Sequence, residues 1–109
     1  MMSVIHMDMR LWNQYMKEDK PVLVKFWASC GEYCQCIARP FEKIAEQMGD
    51  TCIVAAVNVD EEQALAQQEQ IEIVPTLVLY QNGKAIGSIV APESKIRIEK
   101  FIHETLPDR

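Results

Sequence analysis

Three of the chain's four cysteines, Cys30, Cys34 and Cys36, fall in one short stretch, WASCGEYCQCIARPF, residues 27 to 41. Thiols this close support three kinds of chemistry. One thiolate attacks a disulfide and a second thiol resolves the mixed disulfide. Alternatively, the soft sulfur donors hold a metal ion, or the thiols pack as small apolar groups. The spacing departs from C-x-x-C, because three residues separate Cys30 from Cys34 and one separates Cys34 from Cys36.

A disulfide needs Cα atoms roughly 4.4–6.8 Å apart with converging side chains. Residues four apart across a helix start meet that condition, and Gly31 lets the intervening loop turn. A Cys30–Cys34 bridge is therefore feasible, and a strained or exposed bridge is the more easily reduced kind. Cys36 lies two positions past Cys34, about 200° around a helix, and is expected to face the core. Cys52, at the start of a strand, is expected to be half-buried. A structural zinc site takes four ligands, and the clustered cysteines supply three. His6, near the first strand, and His103, on the last helix, are expected to lie far from the loop. A metal would need a ligand from a second subunit, or the cysteines an iron–sulfur cluster. The reading adopted has no metal and no bound cofactor.

The elements that must hold these thiols are legible from period and punctuation. Ser3 to His6 is β-like, and Asp8 to Glu18 carries Leu11, Trp12, Tyr15 and Met16 at helical spacing with Asp8 as N-cap. VLVKFWA, 22 to 28, reads as a buried strand. A helix is expected from Tyr33 to Met48, with Ile37, Phe41, Ile44, Ala45 and Met48 on one face, Pro40 inside it and Gly49 at its end. CIVAAVNVD, 52 to 60, is a strand, and EEQALAQQEQ a short helix whose glutamates, with Glu72, form a solvated face. The stretch 76 to 90 reads as a hairpin turning at Asn82-Gly83. A last helix is expected from Pro92 to Thr105, burying Ile96, Ile98, Phe101, Ile102 and Leu106. Near a helix N-terminus, free N–H groups and about half a positive charge favour a thiolate. Cys34 is best placed for this and Cys30 is in reach. A Lys25 ammonium would push the same way, and Glu32 would oppose it.

The order β-α-β-α-β-α-β-β-α gives an α/β fold: a parallel crossover unit followed by an antiparallel hairpin, a mixed central sheet sandwiched by helices. VLVKFWA before a cysteine-bearing helix, then VNVDEE, then IVPTLVLYQNGK, resembles the thioredoxin family over essentially the whole chain, from about Val4 to Leu106. The resemblance implies the thioredoxin fold and a cis bond at Pro75. It also implies that Val74 offers its backbone to an extended substrate segment, and that Trp27 covers the helix start and borders the groove. The chain departs from the family's W-C-G-P-C site. Aligned without a gap, Cys34 takes the resolving position, Gly31 that of the nucleophile, and Cys30 that of the preceding tryptophan. With one extra loop residue, Cys30-Gly31 instead plays the family's Cys-Gly. The family's buried aspartate matches Lys25, its partnering lysine Ala56, and two glycines bordering the groove match Ile73 and Ala91.

The composition fits one compact domain over residues 1–109: 49% of residues are apolar and 25% charged, which speaks against a disordered chain. A net charge of −5 argues against nucleic acid and anionic membranes as partners. The start, MMSVIHMDMRLW, lacks a basic segment followed by a long apolar run, and no stretch approaches ~18 apolar residues. A cytoplasmic location is expected, where thiols stay reduced and a cysteine cluster points to reactivity. The leading function is thiol–disulfide exchange on protein disulfides through Cys30 and Cys34, with Trp27, Val74 and Pro75 binding substrate and a thioredoxin-reductase-like partner. A redox-inactive protein-binding module with the same groove is the alternative, and a monothiol protein using Cys34 alone a third reading.

Overall fold

A computed structural model describes residues 4–29 and 32–106, and of residues 32–37 the helical backbone alone. Cys30 and Gly31 lie outside the described residues. Nine elements follow in the order β1 (Ile5–His6), α1 (Met9–Tyr15), β2 (Val22–Trp27), α2 (Glu32–Met48), β3 (Ile53–Asn58), α3 (Gln63–Gln68), β4 (Thr76–Gln81), β5 (Lys84–Val90) and α4 (Lys95–Thr105). The sheet runs β1-β3-β2-β4-β5. β1 and β2 flank β3 in parallel, whereas β4 lies antiparallel to both β2 and β5.

The alternation of β2 explains how one sheet serves two cores. Val22, Val24 and Phe26 pack with Trp12, Leu65, Val78 and Tyr80 on the face covered by α1 and α3. Leu23 points the other way, into a cluster with Phe41, Ile44, Val54, Leu77, Ile98 and Phe101 from the α2–α4 side. Lys25 stands two residues beyond Leu23 and so takes this same face. Its row across the sheet is His6, Ala56, Lys25 and Leu77.

Local chemistry sets the ends of the elements. The Asp8 carboxylate accepts from the Leu11 N–H at 2.9 Å and caps α1. α2 continues through Pro40 and stops at Gly49, whose φ of +55° needs no Cβ accommodation. The β4–β5 turn has positive φ at both Asn82 and Gly83, the type I′ pattern expected for Asn-Gly.

Three expectations fail here. α4 begins at Lys95 behind a Ser94 cap, which accepts from the Arg97 N–H at 3.2 Å, so Pro92 and Glu93 precede the helix. Ile96 is 75% exposed, while Ile98, Phe101, Ile102 and Leu106 are buried as expected. Positions 96 and 98 sit about 200° apart on a helix, so one face cannot hold both. Cys52 is fully buried rather than half-buried, packed in the α2–α4 core just before β3.

Candidate functional site

The β2–β4 register fixes what meets at one end of the sheet. Phe26 stands opposite Thr76. One step further, the end of β2 at Trp27 and the Val74–Pro75 loop that enters β4 come side by side. The sequence continues from Trp27 through Ala28 and Ser29 to Cys30 and then α2, whose first turn carries Cys34. Trp27, Val74 and Pro75 are thus brought to the strand end that leads into the cysteine cluster. Cys30 falls outside the described residues, as do the side chains of Cys34 and Cys36.

On the loop side the geometry is held by hydrogen bonds to main-chain carbonyls. The Val74–Pro75 bond is cis. Pro75 is buried, and its carbonyl accepts from the Ala91 N–H at 2.7 Å. The Thr76 hydroxyl donates to the Ile73 carbonyl, tying the loop back onto β4. Ala91 adopts φ +47°, a left-handed conformation that costs a Cβ-bearing residue energy. Two large apolar side chains, Ile73 at 57% and Val90 at 52% exposure, flank the loop. They give the rim of the groove an apolar surface.

On the strand side the geometry is held by side chains. Lys25 is only 8% exposed. Its Nζ lies 5.0 Å from the centroid of the Phe41 ring and 5.6 Å from that of Trp27, both within cation–π range. The Trp27 indole N–H is buried and finds no acceptor among the described residues. Lys25, Trp27, Ser29, Ala38, Glu42 and His6 help line a cavity of about 210 Å³. His6 is therefore near the site, not far from it. Its place follows from β3 lying between β1 and β2, which sequence reasoning did not order. Glu42, exposed on α2, also reaches the cavity wall.

A second buried polar group lies on the opposite sheet face. The Tyr80 hydroxyl donates to Glu69 Oε1 at 2.8 Å, so Glu69 is not simply part of a solvated face. Burial, then the hydrogen bond to Glu69 and its charge, push the Tyr80 phenol well above its ordinary value. Among the described residues no three His, Cys, Asp or Glu side chains gather to hold a metal ion.

A family model described as Thioredoxin matches residues 3–104. The chain belongs to the thioredoxin family. A thioredoxin of Acidithiobacillus ferridurans is 39% identical over 92 residues, covering 84% of each chain. One of Alicyclobacillus acidocaldarius is 35% identical over 96 residues, covering 87% of this chain and 90% of that one. Among solved structures, the thioredoxin of Malassezia sympodialis superposes with a TM-score of 0.87 at 30% identity, covering 96% of this chain and 92% of the other. Membership supports thiol–disulfide oxidoreductase chemistry in general and confirms the mixed five-stranded sheet between helices as the thioredoxin fold. Within that fold, Lys25 and Ala56 stand paired across β2 and β3, where the resemblance implied an aspartate and a lysine.

Proposed function

We propose that this protein is a thiol–disulfide oxidoreductase acting on protein disulfides through the non-standard C-G-E-Y-C site, with Cys30 and Cys34 as its exchanging pair. The thiolate of one attacks a sulfur of the substrate disulfide. That S–S bond breaks, and the departing sulfur takes up a proton. The second thiol loses its proton and attacks the mixed disulfide, releasing the substrate as a dithiol and leaving Cys30–Cys34 oxidised. A thioredoxin-reductase-like partner returns two electrons, and two protons come from water. The substrate's extended segment pairs with the backbone at Val74, beside Pro75, and packs on Trp27. No bound cofactor is required, and the cytoplasm is the compartment that keeps such a pair reduced.

The observation that carries this reading is the Phe26–Thr76 register, because it sets the Val74–Pro75 loop against the strand end leading into the cysteines. Reduction of a model protein disulfide tests it. Activity in the parent that disappears in both Cys30→Ser and Cys34→Ser supports the dithiol. Equilibration in graded glutathione buffers, with free thiols trapped by alkylation, is the sharper check. Clustered thiols that stay free, or only take up glutathione, exclude dithiol exchange.

The rival is a binding module that keeps the groove without the redox step. The buried Lys25 beside Ala56, in place of an acid–base pair, favours it. In that case a variant with every cysteine replaced by serine recovers the same partners as the parent.

A further inference from the structure

The free edge of the sheet is blunted at one end and open at the other. β5 closes the strand order, and among the described residues no strand pairs with its outer side. The Ala91 N–H bonds to the Pro75 carbonyl, so these two residues form a hydrogen-bonded pair that extends the β4–β5 ladder. Such pairs alternate with non-bonded ones along an antiparallel ladder. Val90 opposite Thr76 and Ser88 opposite Val78 are therefore non-bonded pairs. Their N–H and C=O groups point away from β4, to the open edge. At the other end of β5, a register shift beside Tyr80 and the exposed Lys84 discourage pairing.

The side chains of Ser88 and Val90 line a groove of about 520 Å³ on the α1–α3 face of the sheet. Ile71 and Val78 give it an apolar floor, and Ile73 and Val90 stand at the end beside Thr76. At the opposite end the Tyr80 hydroxyl donates to Glu69. Glu69 also accepts from the Gln68 amide at 3.0 Å, and both donors are neutral. Glu72 joins Glu69 in the lining, which includes no lysine, arginine or histidine. Outward backbone groups, an apolar floor and two carboxylates thus run side by side.

We propose that this edge is a docking site for an extended, basic segment of a partner protein, which adds to β5 as a sixth strand. The segment pairs antiparallel with the free backbone groups of Ser88 and Val90. Residues directly opposite those two project to the same sheet face, and so toward the groove. An apolar side chain seats beside Val90 and Ile73. A lysine or arginine two or four residues further along the segment reaches Glu69 and Glu72. The site is separate from the backbone at Val74 and uses no thiol. A second copy of this chain fits it less well. Two-fold pairing of β5 with itself is antiparallel and sets the copy's one β5 cation, Lys84, toward the Val90 end, away from Glu69. The copy also brings another net charge of −5.

The test is fluorescence anisotropy with a short capped peptide that lacks cysteine, in which threonine alternates first with isoleucine and then with arginine. Its twin carries glutamate in place of arginine. The parent should bind the arginine peptide at least about tenfold more tightly than the twin. Glu69→Gln combined with Glu72→Gln keeps an acceptor for Tyr80 and should weaken binding about fivefold. Ser88→Pro removes an outward N–H at a position where an edge strand accepts proline, and should also weaken binding about fivefold. Urea midpoints verify that each variant folds. Hydrogen exchange at the Ser88 and Val90 amides should slow when the peptide binds. Equal binding of the two peptides, or an affinity unchanged in either variant, overturns the proposal. Binding that disappears in Cys30→Ser or Cys34→Ser overturns it too, because the peptide then sits at the thiols. Protection of the same two amides in free protein that sediments as a dimer would give the edge to a second copy and overturn it as well. Disulfide reduction enters none of these readings, so the docking site and the oxidoreductase reading fail separately.

Discussion

The two sides of the candidate site are held in different ways. The Ile73–Thr76 loop is tied by hydrogen bonds whose acceptors are main-chain carbonyls: Ala91 N–H to Pro75, and the Thr76 hydroxyl to Ile73. The strand side is held by the side chains of Lys25, Trp27 and Phe41 around a cavity. The first kind of construction tolerates changes of side chain wherever that side chain is not itself the donor, as at Ile73 and Ala91. The second does not, because its electrostatics are those of the particular residues present. A loop tied to main-chain carbonyls and a buried lysine between aromatic rings therefore coexist in one small fold.

The largest effect is expected where the strand side meets the core. Phe41 is fully buried, packs with Leu23 and Ile44, and presents its ring to Lys25. Phe41→Ala should cost about 3–5 kcal/mol of stability, read as a fall in the urea midpoint. Phe41→Leu keeps most of the volume and loses the ring face. Its loss of stability should be well under half as large. A loss as large as that of Phe41→Ala would mean that the ring, and not the volume it fills, is what the core needs at this position.

Tyr80 sharpens the comparison from the other face of the sheet, as a buried polar group whose partner, Glu69, is fixed by a direct hydrogen bond. Its phenol pKa is raised in the folded state. Stability from this group is thus fully present below the unfolded value near 10 and is lost as pH rises above it. Each pH unit beyond that point should remove about 1.4 kcal/mol. Comparing urea melts of the parent and Tyr80→Phe from pH 8 to 11 isolates the slope. The difference between them should be constant below pH 10 and shrink above it.

The same contrast explains what the sequence disclosed. Periodicity located every element, and Asp8, Gly49 and the Asn82-Gly83 pair marked their ends, because these are local effects of neighbouring residues. What the sequence hid was set across strands. His6 reaches the Lys25 cavity only because β3 lies between β1 and β2, and Glu69 meets Tyr80 across the loop that enters β4. Ile96 is as apolar as its neighbours on α4, yet it sits about 200° around the helix from buried Ile98 and so faces solvent. The spacing of the cysteines left the choice between Cys30-Gly31 and a lone Cys34 open, since either alignment preserves every flanking element.

On the loop side the expected effects are smaller, and they test the one side-chain donor that ties the loop, the Thr76 hydroxyl. Thr76→Val keeps the shape and removes the donor to the Ile73 carbonyl. It should cost about 1 kcal/mol and weaken binding of an extended substrate segment, whereas Thr76→Ser, which keeps the hydroxyl, should bind normally. Equal binding by both variants would mean that the hydroxyl does not hold the loop.

The smallest effect has the opposite sign. Ala91 holds φ +47° while donating its N–H to Pro75, a conformation in which a Cβ is disfavoured. Ala91→Gly relieves that strain but adds freedom to the unfolded chain. Relief of about 1–2 kcal/mol against an entropic cost of about 0.4–1 kcal/mol leaves a net gain that is ~0.8 kcal/mol at the midpoints of those ranges. A urea midpoint that rises in Ala91→Gly while the alkylation profile of the clustered thiols stays fixed would show the two sides of the site to be energetically separate. A thiol midpoint that moves with it would show that the loop backbone and the cysteines are coupled.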